Sequence, residues 1–265
     1  MSNSSIIRIS DNLATMVGVN TRKTIVGAWE LLVFQVEVSK KIPHVLLNFH
    51  FTVEQMYVIG ITSIPLVATT SIFTGGVSAY QMAYQFADLV PELYIGTAVG
   101  KSVLIELGPI LTALVMAGRI GAAMCAELAT MSVTEQLDAM KCLNLNPYRY
   151  LLAPRVVAAV IMLPVLTIIS SFVAILGAYA VAYMVKGLEM EIFFKGVKLF
   201  YKDWDLIVGL IKSIVFGYII ATFACYFGFK TTGGAEGVGA STKSSVVYSM
   251  TCILISGFLV SKLLL

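Results

Sequence analysis

Five long apolar stretches divide this sequence, and each is long enough to cross a lipid bilayer. Their approximate bounds are 55–83, 93–129, 150–185, 206–229 and 245–264. A helix needs about 20 apolar residues to span the hydrocarbon core of a membrane. Charged residues make up 12% of the chain, about half the ~25% of an ordinary soluble domain. The sequence therefore predicts an all-α integral membrane protein of five spans, with no separate soluble catalytic domain.

The stretch at 25–38 is amphipathic and too short to span a membrane. A period of seven residues puts four polar side chains on one side of a helix: Lys23, Glu30, Glu37 and His44. Trp29 lies with the apolar residues of the opposite side. The pattern predicts a helix that lies in the membrane interface with Trp29 at the level of the headgroups. A buried amphipathic helix is the alternative.

The distribution of Lys and Arg indicates that the N-terminus lies in the cytoplasm. If five spans alternate, eleven of these residues fall on the side of the N-terminus and six on the other side. Positive residues accumulate on the cytoplasmic side of membrane proteins. Residues 126–155, between the second and third spans, then form a cytoplasmic helical elbow. Its apolar residues would be poorly hidden in a plain loop, which favours a docking surface for a soluble partner. Glu127 and Arg155 fall where the two spans meet the cytoplasm, so a pair across this hairpin is predicted.

Small residues recur every fourth position in two of the spans. The first ridge is Ala113, Ala117, Gly121, Cys125 and Ala129, and the second is Ser170, Ala174, Ala178 and Ala182. Such ridges let two helix backbones approach closely in lipid. Packing within one subunit and packing across a homodimer both explain the pattern.

Glu106 is a carboxylate inside an apolar segment, followed closely by Pro109. A buried charge of this kind costs several kcal/mol unless it faces protein or a wet cavity. Glu106 either lines a cavity that holds a polar part of a substrate or forms a structural pair or cap. A continuous helix over 93–129 would be about 55 Å long. We therefore expect one end to project into water or the helix to break near Pro109.

Motifs for catalysis and nucleotide binding are incomplete in this sequence. GTAVGKS at 96–102 has three residues between its glycines where a phosphate loop needs four. The glycine-rich TTGGAEGVGAST at 231–242 also lacks a dinucleotide-binding spacing and is predicted to be a turn. No nucleophile–base arrangement is present, so we expect neither an enzyme nor a bound cofactor. The net charge of only +3 argues against nucleic acid as a partner.

One long segment carries a family resemblance. It runs from Glu106 to Pro164 and reads ELGPILTALVMAGRIGAAMCAELATMSVTEQLDAMKCLNLNPYRYLLAPRVVAAVIMLP. This segment resembles the signature of the MlaE (YrbE) permeases, the membrane subunits of ABC lipid transporters that work with MCE proteins. IPLVATTSIFTGGVSAYQ and GAEGVGASTKSSVVYS are similar to further family blocks, so the resemblance covers about residues 50–262. Ile105 is a departure, because several members have Arg before this Glu.

The resemblance implies a function and a set of partners. The chain would be the permease of a transporter that moves phospholipid between membranes and maintains lipid asymmetry. It would form a homodimer around a lipid cavity, with a cytoplasmic ATPase that binds the ATP and an MCE protein on the outer face. Residues 1–50 would form a cytoplasmic and interfacial region, and 51–265 the permease domain. The location would be a bacterial inner membrane, or a plastid inner envelope for an alga or plant.

Two groups of residues are the predicted functional sites. The candidate lipid cavity comprises Phe73, Thr74, Tyr80, Gln81 and Glu106. The candidate ATPase-coupling surface, which the resemblance assigns to the elbow, comprises Glu127, Glu135, Gln136, Asp138 and Met140. Two other classes of function stay open from the residues alone: an ion-coupled carrier or channel, and a membrane scaffold without transport.

Overall fold

The computed structural model describes residues 26–27, 29–43, 45, 49–86 and 90–265. Five of its helical segments are long and apolar enough to cross a membrane. They are span 1, Phe49–Phe86; span 2, Leu93–Val133; span 3, Tyr148–Lys186; span 4, Asp203–Phe229; and span 5, Gly234–Leu264. Within the described ranges the chain forms no β-strand. The prediction of an all-α integral membrane protein with five spans is confirmed.

Two of the spans contain internal irregularities. Span 1 consists of the helices Phe49–Ile59 and Ile64–Phe86, joined by a 3-10 turn at Ile61–Ser63. Span 2 consists of three α-helices, Leu93–Ser102, Gly108–Met116 and Ala122–Val133, joined by π-helical turns at Val103–Leu107 and Ala117–Gly121. Span 3 begins with a π-helical turn at Tyr148–Leu152 and continues as Ala153–Lys186. Spans 4 and 5 are each a single helix.

Three shorter helices connect or flank the spans. The N-terminal helix covers 29–41. The elbow helix is Gln136–Cys142, between spans 2 and 3. The outer helix is Met190–Leu199, between spans 3 and 4. The elbow helix confirms the prediction of a short helix at this point of the chain.

Span 2 does not break at Pro109. A π-helical turn ends at Leu107, two residues before this proline, and π turns absorb local irregularity while the helix continues. At 1.5 Å per residue the uninterrupted span is about 60 Å long, twice the ~30 Å thickness of the hydrocarbon core. Of the two predicted outcomes, the structure therefore fits a span with one end projecting into water.

The predicted glycine-rich turn over 231–242 is largely wrong. Only Gly233 and Gly234 adopt positive φ angles, +90° and +69°, and the helix of span 5 already begins at Gly234. A Cβ on Gly237 would lie 1.9 Å from the carbonyl oxygen of Thr232, so this glycine lets the helix pack against the turn. Thr242 bonds to a carbonyl oxygen one turn earlier. These small residues are therefore compatible with helix, although glycine disfavours helix intrinsically.

Small residues bring the spans together inside a single chain. A Cβ on Gly75 of span 1 would lie 1.8 Å from the carbonyl oxygen of Ala174 in span 3, and one on Gly177 would lie 2.5 Å from that of Ile72. Every member of the two predicted small-residue ridges is buried. Close packing within one subunit, the first of the two alternatives, explains both ridges.

The connections occupy two opposite ends of the helix bundle, as five alternating spans require. The N-terminal helix, the elbow helix and the turn between spans 4 and 5 lie at one end, where Phe34 contacts the rings of Tyr148 and Phe229. The outer helix lies at the other end and packs against the start of span 2, where Thr97 Oγ1 donates to the carbonyl oxygen of Gly196 at 2.6 Å. Following the orientation predicted from the Lys and Arg distribution, we refer to these as the cytoplasmic end and the outer end.

The N-terminal helix has one exposed and one buried face. Trp29, Leu32 and Val36 are exposed apolar residues, and such a face is compatible with a helix in the membrane interface. Phe34 and Val38 are buried against the bundle, and the amphipathic pattern did not single them out. Lys23 and His44, which completed the predicted polar side, lie outside the described residues.

Candidate functional site

An open groove lies between the outer halves of spans 1 and 2. Its volume is about 370 Å³. It is lined by Phe73, Thr74, Val77, Ser78, Gln81, Leu107 and Leu111. Three residues of the predicted lipid cavity, Phe73, Thr74 and Gln81, are therefore brought together along one face of span 1.

Helical spacing explains which side chains of span 1 face outward here. Phe73, Val77, Tyr80 and Tyr84 recur at intervals of three and four residues, and all four are exposed. Gly75, Gly76 and Ala79 occupy the opposite side and are buried. Tyr80 is thus placed on the exposed ridge beside the groove, although it does not line the groove itself.

Glu106 points away from this groove. Its neighbour Leu107 lines the groove, whereas the carboxylate of Glu106 forms an ion pair with Lys212 of span 4. Ser261 of span 5 donates to the same carboxylate at 3.3 Å. The structure therefore joins Glu106 to spans 4 and 5 and does not bring it to the other predicted cavity residues. The Glu106 side chain keeps 40% of its surface exposed, so a ligand can still reach it.

Lys212 is the functional candidate that the sequence reasoning passed over. Its side chain is fully buried, and its Nζ also donates to the carbonyl oxygen of Ile105 at 2.8 Å. In an α-helix that carbonyl would accept from the residue four positions later, which is Pro109 and has no N–H. Lys212 thus satisfies both a carboxylate and a backbone oxygen beside Pro109. An ionisable residue inside a span calls for a partner, and that signal could have identified it.

At the cytoplasmic end, Glu127 and Arg155 join the ends of spans 2 and 3. Arg155 Nη2 lies 2.7 Å from Glu127 Oε1, which confirms the pair predicted from their positions at the two span ends. The Arg155 side chain is 4% exposed and that of Glu127 is 57% exposed. The pair therefore links a buried guanidinium to a carboxylate that remains accessible beside the elbow.

Residues 131–145, the central part of the elbow, contain both exposed polar and exposed apolar side chains. Glu135, Gln136 and Asp138 are exposed, and Met140 is half-buried. Leu137 is buried and anchors the elbow helix, whereas Leu143 is 72% exposed. Protein–protein contacts typically combine an apolar centre with a polar rim. The structure leaves Glu135, Gln136 and Asp138 accessible at this end of the bundle, and the apolar Leu143 is exposed in the same elbow.

A second ion pair attaches the N-terminal helix to the cytoplasmic end of the bundle. Lys230, just after span 4, pairs with Glu30, and Tyr226 Oη donates to Glu30 Oε2 at 3.4 Å. The hydrogen bond and the charge of Lys230 lower the pKa of the Glu30 carboxyl. Desolvation opposes ionisation of Lys230, but its bonds to Glu30 and Tyr226 leave its pKa raised. Both groups therefore stay charged at neutral pH, and the contact is an ion pair.

Comparison with known proteins assigns the chain to a family. The sequence pattern of the family described as Permease MlaE matches residues 52–263. The chain belongs to the MlaE permease family. The matched residues include all five spans except the first residues of span 1 and the last of span 5, so the family assignment applies to the whole membrane bundle.

Several similar proteins carry names that describe a transport role. A probable ABC transporter permease protein of Rickettsia typhi is 38% identical, over 96% of this chain and 98% of its own length. A probable ABC transporter permease protein of Synechocystis is 43% identical, over 82% of this chain and 83% of its own. The chloroplastic protein TRIGALACTOSYLDIACYLGLYCEROL 1 of Arabidopsis thaliana is 36% identical, over 82% of this chain and 62% of its own.

The five spans and these MlaE-type relatives agree on a location. The bacterial relatives are named permeases, and the plant relative is named chloroplastic. A chain with five membrane-spanning helices in such a family is a multi-pass protein of an inner membrane. This confirms the location predicted from the sequence.

Proposed function

We propose that this chain is the membrane subunit of an ATP-driven transporter that moves phospholipid between membranes and so maintains lipid asymmetry. The observation that carries the proposal is the open groove between spans 1 and 2. Its mostly apolar walls and volume of about 370 Å³ suit part of an acyl chain, since each buried methylene contributes about 0.8 kcal/mol. Phe73, Thr74 and Gln81 contact the lipid, and Tyr80 flanks it.

Energy for transport comes from a separate ATPase in this proposal. The family members named ABC transporter permeases support this division of labour. The elbow is the contact surface, because Glu135, Gln136 and Asp138 are exposed beside the apolar Leu143. Glu127 forms an ion pair with the buried Arg155 of span 3. Movement of the elbow on ATPase binding would therefore be transmitted to spans 2 and 3 through this contact.

Span 5 supports a contact with a second copy of the chain. It is the least buried span: 17% of its most apolar stretch is buried, compared with 28–56% of the corresponding stretch in the other four spans. Val247, Leu254 and Phe258 are exposed on it. A homodimer would cover this face, and an MCE-domain protein at the outer end would receive or deliver the lipid.

The pairing of Glu106 argues against the ion-coupled alternative. Coupling by protons or cations uses an intramembrane carboxylate whose charge changes during transport. Here Lys212 and Ser261 already hold the Glu106 carboxylate. Glu106 therefore fits better as a structural member of spans 2, 4 and 5 that meets a polar lipid group at its exposed edge.

Photocrosslinking tests the groove directly. A photoreactive residue at Phe73 or Gln81 should capture lipid that remains after detergent extraction, because the groove retains it. Phe172 on span 3 is the matched control, since it is a phenylalanine of similar exposure, 66% against 69% for Phe73. Equal capture at Phe73 and Phe172 would mean contact with bulk lipid and would remove the groove from the proposal. A photoreactive residue at position 106 tests whether lipid reaches the exposed part of the Glu106 side chain.

Purification of the complex tests the partners. We expect the full chain to co-purify with an ATPase, and mass spectrometry of the extract to show bound phospholipid. A chain that purifies without any ATPase would contradict the proposed transporter.

A further inference from the structure

A small hydroxyl-lined cavity lies between spans 1, 2 and 3, behind the groove. Its polar lining consists of Thr70, Ser71, Thr74, Thr112 and Ser170, and none of its lining residues is charged. Thr74, Leu107 and Leu111 line both this cavity and the groove. The cavity is therefore a polar recess in the wall of an otherwise mostly apolar site.

Thr112 has a hydroxyl without a hydrogen-bond partner in this recess. Thr112 is 3% exposed, and its Oγ1 makes no hydrogen bond with any described residue. An unpaired buried hydroxyl is unfavourable, because it has lost its hydrogen bonds to water without gaining others. Buried polar groups of this kind are commonly satisfied by an ordered water or a ligand.

The other hydroxyls of the recess have already used their protons. Thr70 Oγ1 donates to the carbonyl oxygen of Leu66 at 3.0 Å, and Thr74 Oγ1 donates to that of Thr70 at 2.8 Å. Ser71 Oγ donates to the carbonyl oxygen of Val67 at 2.6 Å. Ser170 is therefore the donor in the 2.8 Å hydrogen bond between Ser170 and Ser71. Each hydroxyl oxygen keeps acceptor capacity, because it has two lone pairs.

The recess thus combines several acceptors with the single free donor of Thr112. An oxygen that carries hydrogen can donate to the acceptors and accept from Thr112, whereas a carbonyl or ester oxygen can only accept. The space open to the centre of a water molecule is about 10 Å³, which holds about one such oxygen. The absence of charge in the lining favours a neutral group.

We propose that this recess is a binding site for a single O–H group, supplied by an ordered water or by a hydroxyl of the lipid in the groove. The lipid hydroxyl rests on the proposed function, whereas the water does not. With water in place, the recess presents one hydrogen-bonding oxygen near Thr74 at the wall of the groove. With a lipid hydroxyl in place, it favours lipids whose polar part carries an O–H group.

The test is the density in the recess of the full chain in lipid nanodiscs, at a resolution that shows ordered water. Nanodiscs of phosphatidylcholine, which has no hydroxyl, are compared with nanodiscs of phosphatidylglycerol, which has two. An isolated peak near Thr112 Oγ1 in both lipids identifies water. A peak continuous with lipid density in phosphatidylglycerol alone identifies the lipid hydroxyl. An empty recess in both lipids overturns the proposal.

Two matched variants make the result independent of the lipid. Thr112→Val removes the free donor with little change of shape, and the peak should disappear. Thr167→Val is the control, because Thr167 is equally buried, at 3%, and its hydroxyl already donates to Leu163; there the peak should remain. A peak of unchanged height in Thr112→Val overturns the proposal. A water peak in a chain that transports no lipid would contradict the proposed function but leave this site in place.

Discussion

Lys212 of span 4 holds Glu106 of span 2 from a fully buried position, and it donates as well to the carbonyl oxygen of Ile105 at 2.8 Å. The ion pair thus joins two spans beside the π-helical turn that precedes Pro109. Removing one partner of a buried ion pair is far more costly than removing both, since a lone buried charge remains.

Glu106→Gln should therefore lower the free energy of unfolding by about 3 kcal/mol, because it leaves the fully buried Lys212 without a counter-charge. Addition of Lys212→Met should recover much of this loss, because no unpaired charge remains. Lys262→Met is the control, since Lys262 is exposed near the same end of the bundle, and it should change stability little. Denaturant unfolding in detergent measures all three variants, and a double variant no more stable than Glu106→Gln would contradict the pairing.

The ion pair between Glu30 and Lys230 predicts that docking of the N-terminal helix depends on pH. The pKa of Glu30 is lowered by its hydrogen bond and charge interaction with Lys230. A lowered carboxyl pKa contributes docking stability that is complete above the ordinary pKa of Glu and is lost as the pH falls through the lowered value. The helix should therefore loosen only in acid.

Spin labels at positions 33 and 141 report this loosening as a broader distance distribution at low pH. Glu30→Gln carries no titrating group at this position, so its distance distribution should be broad already at neutral pH and should change less on acidification. A wild-type distance distribution that is unchanged while the carboxyl group titrates would contradict a role for this ion pair in docking the helix.

The elbow prediction concerns the coupling surface. Glu135→Lys combined with Asp138→Lys reverses two exposed charges and should reduce ATPase co-purification several-fold while the chain still inserts. Reversal of Glu189 and Glu191 at the outer end is the control, since the predicted orientation puts that end on the opposite side of the membrane from the ATPase. Full ATPase recovery with the elbow variant would reject the elbow as the contact.

Glycine packing between spans 1 and 3 gives a stability prediction. Gly75→Ala places a Cβ 1.8 Å from the Ala174 carbonyl oxygen and should cost about 1–3 kcal/mol through overpacking. Gly239→Ala in span 5 adds a Cβ with no atom within 4 Å and should not destabilise, because alanine favours helix over glycine. Thermal unfolding of both variants compares them, and equal stabilities would show that spans 1 and 3 separate easily.

The architecture could be predicted because apolar length and charge patterning are local features of the sequence. Five spans, the elbow helix and the Glu127–Arg155 pair follow from where polar residues interrupt apolar ones. The start of span 5 was missed because glycine propensity argues for a turn, whereas packing of Gly237 against Thr232 depends on tertiary structure. For the same reason no sequence period could indicate that Phe34 faces the core.

The candidate site was predictable only in part. Phe73, Thr74 and Gln81 share a helix face, so helical spacing alone groups them. The partner of Glu106 lies about a hundred residues later in the chain, and its choice among the cations depends on how span 4 packs against span 2. The recess behind the groove needs three spans in register, which a single sequence does not specify.

Transport by the reconstituted complex tests the central claim most directly. The full chain and the proteins that co-purify with it are placed in donor vesicles with a fluorescent phospholipid, and transfer to acceptor vesicles is followed with ATP and with a non-hydrolysable analogue. The account predicts transfer that requires ATP hydrolysis and falls in the Glu135→Lys, Asp138→Lys double variant. Lipid transfer at the same rate with ATP and with the analogue would contradict it.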